Sequence, residues 1–463
     1  MFEYEKYKVF ISRLILILIA FYSYLFKWSD DISFMLSQVT FIAYSLGILF
    51  VLRSNLFKYI FEPPVFFLLF TFIYEVLKFP YYFGMISTSE IIRINLLPSR
   101  FKISNYYETS FYLLLFQSFC ISILLITYAR IKKPIDKVFN IDSNIYNDKP
   151  LVVFATLTLV FGFLRFYYIT GGNLFYLLTR RTGNTEAGKL LSENYILSLC
   201  VSSSLACIPM ILALRYFYKK KFIYIIPMYA IALTLSYFVT GGRGPLVYSL
   251  LACVILFLSK QKSRLPLIKL SSIALIIIIV FSLLGLIRRS MNDTNHIVSN
   301  IKSRTEIENK WYTELSTYQL QFRDETVFAT IDRVGLSMGE TYLNLITFPF
   351  PRSIMGDLKP RFLDLIVEKE YFKRDNIGLP LTCMSESFLN FGYLGCIVFL
   401  FWGILMGKIS NYLLTKGSLF SIIFSLAAFV FIQTWTTTYI VYFLQFSVLA
   451  SIALMKVKQS GGK

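Results

Sequence analysis

Residues 109–129 read TSFYLLLFQSFCISILLITYA, twenty-one positions without a charged side chain. A run of about 20 apolar residues is the length an α-helix needs to cross a bilayer. Glu108 stands just before this run and Arg130 just after it, so the run is bounded by charge on both sides. Similar windows recur along the chain. The spans expected are 9–26, 34–52, 59–79, 109–129, 151–169, 195–214, 222–240, 245–259, 267–287, 386–407, 417–434 and 438–455. The last two share one apolar stretch, with the turn set near Gln433–Thr438, where polar side chains gather. The expected fold is therefore an all-α polytopic membrane protein of about 12 transmembrane helices.

Composition agrees. Of 463 residues, 56% are hydrophobic and 16% charged, against about 25% charged in a soluble domain. So few charges cannot cover a water-facing surface of this size, which excludes a two-domain soluble enzyme. The net charge of +19 would suggest nucleic acid in a soluble protein. Here the basic residues stand in short loops between apolar spans, as the positive-inside rule and anionic headgroups require, so no nucleic-acid partner is expected. Cysteines 120, 200, 207, 253, 383 and 396 form no CxxC pair; no disulfide framework or metal site follows. The charged start and apolar run of residues 1–26 lack a small-residue cleavage site and read as an uncleaved first helix.

Short basic loops set the orientation. Arg53 and Lys58, Arg130 to Lys137, Arg215 to Lys221, Lys260 to Lys269, Lys408 and Lys416, and Lys456 and Lys458 fall on one side if there are twelve spans. That side is expected to be cytoplasmic, with both termini there. The opposite side receives a long, partly helical loop, 288–385, between helices 9 and 10. The chain thus divides into 1–287 (helices 1–9), 288–385 (the loop) and 386–463 (helices 10–12). Helical patches are expected at 310–322 and 361–372, the second led by Pro360 in its first turn. The loop's aromatic and apolar content argues against disorder, so it is expected to pack onto the helices.

Three features carry candidate chemistry. The first is Thr240-Gly241-Gly242-Arg243-Gly244-Pro245. Glycines such as Gly242 let backbone N–H groups approach a ligand, and an arginine beside a helix start makes an anion site. The alternative is a tight turn with Arg243 snorkelling to headgroups. A related Thr170-Gly171-Gly172 precedes Arg180 and Arg181, which suggests two similar local devices.

The second feature is an arginine excess on the outer side. It includes Arg180, Arg181, Arg243, Arg288, Arg289, Arg352 and Arg361, with Lys359 nearby. Arginine's planar fork suits pyrophosphate or carboxylate. Each one singly reads as solvated charge; the set points to an anionic substrate at the outer face.

The third feature is the segment from Leu379 to Gly395. Glu386 and Asn390 are four apart and share a helix face. A carboxylate at the membrane border is a functional candidate, able to deprotonate a sugar hydroxyl, or else a helix-start glutamate favoured by the dipole. Glu340 and Asp324 are reserves for the same role. Glu75 and Lys78 read as a mutually satisfied pair. His296, the only histidine, lies in a polar stretch and is not expected to be catalytic. No Ser/His/Asp arrangement or Walker-type loop is present.

Taken together, the Gly-Arg turn, the long outer loop with Phe348-Pro349-Phe350-Pro351-Arg352 and Lys359-Pro360, and Ser385-Glu386-Ser387-Phe388-Leu389-Asn390-Phe391-Gly392-Tyr393-Leu394-Gly395 entering a helix resemble the Wzy-type polymerases of O-antigen and related repeat units. The matching residues lie mainly in 239–245 and 340–407. The resemblance implies a bacterial inner-membrane glycosyltransferase with a periplasmic active site. Its substrates would be undecaprenyl-pyrophosphate-linked glycans, with membrane lipids around it and a chain-length regulator as a possible partner. It implies no cofactor and no metal. Glu386, Arg243 and Arg352 would be catalytic; Arg180, Arg181, Gly242, Arg288, Arg289, Lys359, Arg361 and Asn390 would bind substrate. An O-antigen ligase, a lipid-linked oligosaccharide flippase or other transporter, and a non-enzymatic assembly partner are the alternatives.

Overall fold

The structure, a computed structural model, describes residues 30–54, 56–57, 62–76, 78–85, 106–133, 149–172, 223–240, 323–347, 355–361, 363–366 and 381–416, with isolated positions between 197 and 221. The expected spans 9–26, 245–259, 267–287, 417–434 and 438–455 lie outside these residues, as does the helical patch 310–322. Among the described residues there is no β-strand. The helices are α1 (Asp30–Arg53), α2 (Pro63–Val76), α3 (Phe79–Tyr82), α4 (Tyr106–Ile131), α5 (Lys149–Ile169), α6 (Ile225–Thr240), α7 (Arg323–Val334), α8 (Glu340–Thr347), α9 (Leu363–Ile366), α10 (Cys383–Phe391) and α11 (Val398–Lys416). Four stretches are long and apolar enough to cross a membrane: Ile32–Arg53, Tyr107–Ile131, Val152–Ile169 and Cys383–Asn411. These apolar helices mark the chain as a membrane protein.

The helix ends follow from local chemistry. α2 opens on Pro63 and Pro64, tolerated in a first turn because its N–H groups have no helical partner. α4 has Glu108 in its first turn and Arg130 in its last, each the sign that favours its end of the helix dipole. α10 starts at Cys383, three residues before the expected 386, because the Thr382 side chain accepts from the Ser385 N–H and so caps the end.

The chain divides into two compact units, the first drawn from 1–137, 310–415 and 432–441, the second from 138–309, 416–431 and 442–463. In the second unit α5 packs on α6. Val153, Leu157, Val160, Phe161 and Leu164 of α5 are exposed, an apolar surface that suits lipid rather than water.

In the first unit α4 is central. It packs against α1, α7, α10 and the 3-10 segment Gly392–Ile397. Phe328 of α7 stacks on Phe388 of α10 with ring centroids 4.0 Å apart, and Phe116 of α4 meets Phe388 edge-on at 5.3 Å. Part of the 288–385 segment is thus held by aromatic packing among the helices, since Val327 and Phe328 are buried.

Two sequence expectations change here. The span expected as one helix over 386–407 is broken: α10 ends at Gly392, a 3-10 segment covers Gly392–Ile397, and α11 follows. Gly392 has φ 58 and ψ −140, a conformation essentially confined to glycine. The helix expected over 361–372 appears in the described residues as Leu363–Ile366, with Pro360 ahead of it rather than inside it. Lys359, before that proline, is extended at φ −74 and ψ 120, as the ring of a following proline demands.

α11 and α4 approach closely. A Cβ on Gly403 would stand 2.7 Å from the Leu124 carbonyl oxygen, and one on Gly407 would stand 2.7 Å from Ile131 Cγ2. Glycines four apart let two membrane helices come into backbone contact. Gly403→Val is expected to lower stability by about 1–3 kcal/mol, the range for overpacking. A thermal unfolding midpoint equal to wild type in detergent would refute this reading of the interface.

Candidate functional site

Described polar side chains in the first unit gather at two levels of α4, its last turn and the middle of the helix at Gln117. At one end Lys132 Nζ lies 2.5 Å from Glu62 Oε2 and donates to the Leu56 carbonyl at 2.7 Å. The Tyr128 hydroxyl donates to Glu62 and lies 3.1 Å from Ser410 Oγ. Asn411 accepts from the Lys133 N–H at 2.8 Å and donates to the Ile131 carbonyl at 2.9 Å. These bonds tie the end of α11 and the connection between α1 and α2 to the end of α4. They read as fastening, because each group serves a neighbouring helix.

The mid-helix level is richer in chemistry. Glu75 at the end of α2 and Lys78 just after it meet Glu325 and Asp324 in the first turn of α7. Lys78 Nζ lies 2.6 Å from Glu325 Oε1 and 3.3 Å from Glu75 Oε1. Glu75 is therefore not the sole partner of Lys78 that the local sequence suggests; the closer one comes from 247 residues away. Gln117 of α4 donates to Glu75 Oε1 at 3.2 Å. Asp324 Oδ1 accepts the Thr382 N–H at 3.2 Å. All five side chains are fully buried.

Glu386 sits on the next element. It is the fourth residue of α10 and fully buried. Asn390, one turn on, is also buried; its amide donates to the Glu386 carbonyl at 2.7 Å and to Thr341 Oγ1 of α8 at 2.8 Å. Tyr342 of α8 stacks on Phe391, with centroids 5.8 Å apart. Its hydroxyl is buried without a hydrogen-bond partner among the described residues. Burial, and then the Glu386 carboxylate, push the Tyr342 phenol well above its ordinary value. That effect places the two groups in one electrostatic neighbourhood. Asp324 binds Thr382, and Thr382 caps the helix that carries Glu386. The α7 cluster and the Glu386 helix are thereby mechanically joined.

No protein-family model, curated protein or solved structure matches this chain.

The candidates from sequence divide as follows. Glu386, Asn390 and Asp324 come together in the buried region just described. Arg361 and Glu340 lie beside it and pair with each other: Nε and one terminal nitrogen of Arg361 reach the two Glu340 oxygens at 3.0 and 2.9 Å. The Arg361 backbone N–H adds a third bond at 3.0 Å. These bonds hold the Glu340 carboxyl below its ordinary value, so Glu340 is a weaker base than an unpaired glutamate. The other face of this junction is Asn344, which donates to the Arg361 carbonyl at 2.8 Å. Lys359 is half-exposed in the same segment. Arg180, Arg181, Gly242, Arg243, Arg288, Arg289, Arg352 and His296 lie outside the described residues.

Three groups were missed in sequence: Glu325, Gln117 and Tyr342. A signal for Glu325 exists in Arg323-Asp324-Glu325-Thr326-Val327-Phe328, where two acids open a short amphipathic run. Gln117 is a lone amide inside an apolar span, and such residues usually meet a polar partner. Among the described residues no three His, Cys, Asp or Glu side chains are arranged to hold a metal ion.

Proposed function

We propose that this protein is a Wzy-type polymerase, which joins undecaprenyl-pyrophosphate-linked oligosaccharide repeat units into O-antigen or a related surface polysaccharide. It would work at the periplasmic face of the bacterial inner membrane, with twelve spans, both termini in the cytoplasm and 288–385 outside. A chain-length regulator is a further proposed partner.

The observation that carries this reading is the setting of Glu386. A buried carboxylate stands at the start of a short helix, beside an unpaired phenol, where 323–347 folds back against the membrane helices. The acceptor hydroxyl gives its proton to Glu386 as its oxygen attacks the anomeric carbon. The bond from that carbon to the pyrophosphate oxygen breaks, and the lipid pyrophosphate departs with the electron pair. Tyr342 is the proposed donor to a sugar oxygen. Arginines of the outer face are the proposed donors to the developing negative charge, each charge-assisted bond being worth roughly 1.5–3 kcal/mol. The orientation is supported by the basic residues at helix ends, Arg53 in the last turn of α1, Arg130 in the last turn of α4 and Lys132 just after it.

Gene deletion followed by gel analysis of surface lipopolysaccharide tests the reading. A polymerase deletion leaves core carrying one repeat unit. Bare core with polymer on the carrier lipid would mean a ligase. Absence of both capped core and polymer would mean a flippase, and an unchanged ladder would exclude all three.

A further inference from the structure

The cluster of Glu75, Lys78, Asp324 and Glu325 is short of donors. Among the described residues three buried carboxylates face one ammonium. Lys78 and Gln117 serve Glu75 Oε1, Lys78 serves Glu325 Oε1, and the Thr382 N–H serves Asp324 Oδ1. The other oxygen of each acid, Glu75 Oε2, Asp324 Oδ2 and Glu325 Oε2, is buried with no hydrogen-bond partner among the described residues. So is Gln117 Oε1, although the other end of that amide is bonded to Glu75. Tyr82, whose hydroxyl is likewise buried and unpaired, stands within the field of Glu75, Lys78 and Glu325. A buried ionised carboxylate with a bare oxygen is strongly disfavoured. The missing element is a donor, and the smallest one is a proton.

We propose that this cluster is a proton-binding site, in which Glu325 takes up one proton and donates it to a neighbouring bare oxygen. The proton supplies a new O–H bond and brings the cluster from three negative charges to two against Lys78. It also weakens the hold of Lys78 on Glu325, the shortest contact between α7 and the Glu75–Lys78 segment. This site is independent of the polymerase reading, because it needs neither glycan nor lipid pyrophosphate.

Burial raises the Glu325 carboxyl to about 7 from an ordinary 4.5; Lys78 opposes the rise, while Glu75 and Asp324 add to it. Among the described residues the other ionisable groups near the site are Tyr74 of α2, Tyr81 beside Tyr82 and, across Asp324 from α10, Cys383 with Glu386 beyond it. The sign of the linkage follows. The folded chain holds a proton that the unfolded chain has released between pH 4.5 and about 7. The Glu325 contribution to stability is therefore present in full below 4.5 and is lost as pH rises through about 7.

The test is an infrared titration of the full chain in nanodiscs, with thermal unfolding at each pH. A protonated-carboxyl band that disappears near pH 7 is expected in the wild type. Glu325→Gln should remove it and flatten the pH dependence of the unfolding midpoint across the same range. If that variant does not fold, Glu75→Gln should shift the wild-type band instead. Absence of any such band, or its persistence unchanged in both variants, would overturn the proposal. So would a midpoint that rises with sodium against choline at fixed pH, since the bare oxygens would then be holding a metal cation.

Discussion

Glu386→Gln abolishes polymer formation while leaving the protein folded: that is the expected result of replacing the buried carboxylate of α10 by its neutral isostere. General-base catalysis by a positioned side chain contributes roughly 10²- to 10⁴-fold. A loss of that size would reduce a polysaccharide ladder to single repeat units. The change in stability should be small beside that loss, because Gln keeps the shape and leaves the Thr382 cap and the Asn390 bonds in place. Complementation of a deletion strain reads the first effect, and thermal unfolding of the purified variant reads the second. Near-normal chain length would remove Glu386 from the mechanism and shift attention to Asp324, a buried acid that binds the cap of the same helix.

The largest stability effect is expected at Lys78. Lys78→Met leaves Glu75 and Glu325 facing each other without their shared cation. Breaking a buried ion pair by removing one partner typically costs about 3–5 kcal/mol. The double variant Lys78→Met with Glu325→Gln should recover part of that loss, because one uncompensated charge goes with the cation. Contacting pairs show coupling of about 0.5–3 kcal/mol in such cycles. The measurement is the unfolding midpoint in detergent for the four proteins of the cycle. Strictly additive effects would mean that the 2.6 Å contact between Lys78 and Glu325 carries no weight in solution.

The long helices were legible because their signal is local. An apolar run announces itself residue by residue, and α1, α4 and α5 fall within a few residues of the spans expected at 34–52, 109–129 and 151–169. The break at Gly392 was harder, since Tyr393, Leu394 and Ile397 are as apolar as the helix around them. It is set by backbone conformation rather than hydropathy. The site was legible in part. Glu386 and Asn390 follow from i,i+4 spacing alone. The partnership of Lys78 with Glu325 does not, because it spans most of the chain and depends on where α7 is seated. Gly403 and Gly407 carry a spacing that can be read directly, yet only the Leu124 carbonyl and Ile131 opposite them give it meaning.

The interruption between α10 and α11 has a consequence for how this protein can vary. α10 is nine residues long with its own starting cap, and it is geared to α11 through the six residues Gly392–Ile397. One residue of an α-helix corresponds to about 100° of rotation. Within this coupling, side chains such as Leu394 and Ile397 point outward and can be exchanged. The number of residues is another matter. Adding or removing one would turn Glu386 and Asn390 away from Thr341 and Tyr342 while α11 kept its seat on α4. In that segment the number of residues is constrained together with the glycines at 392 and 395, while the outward side chains are free to differ.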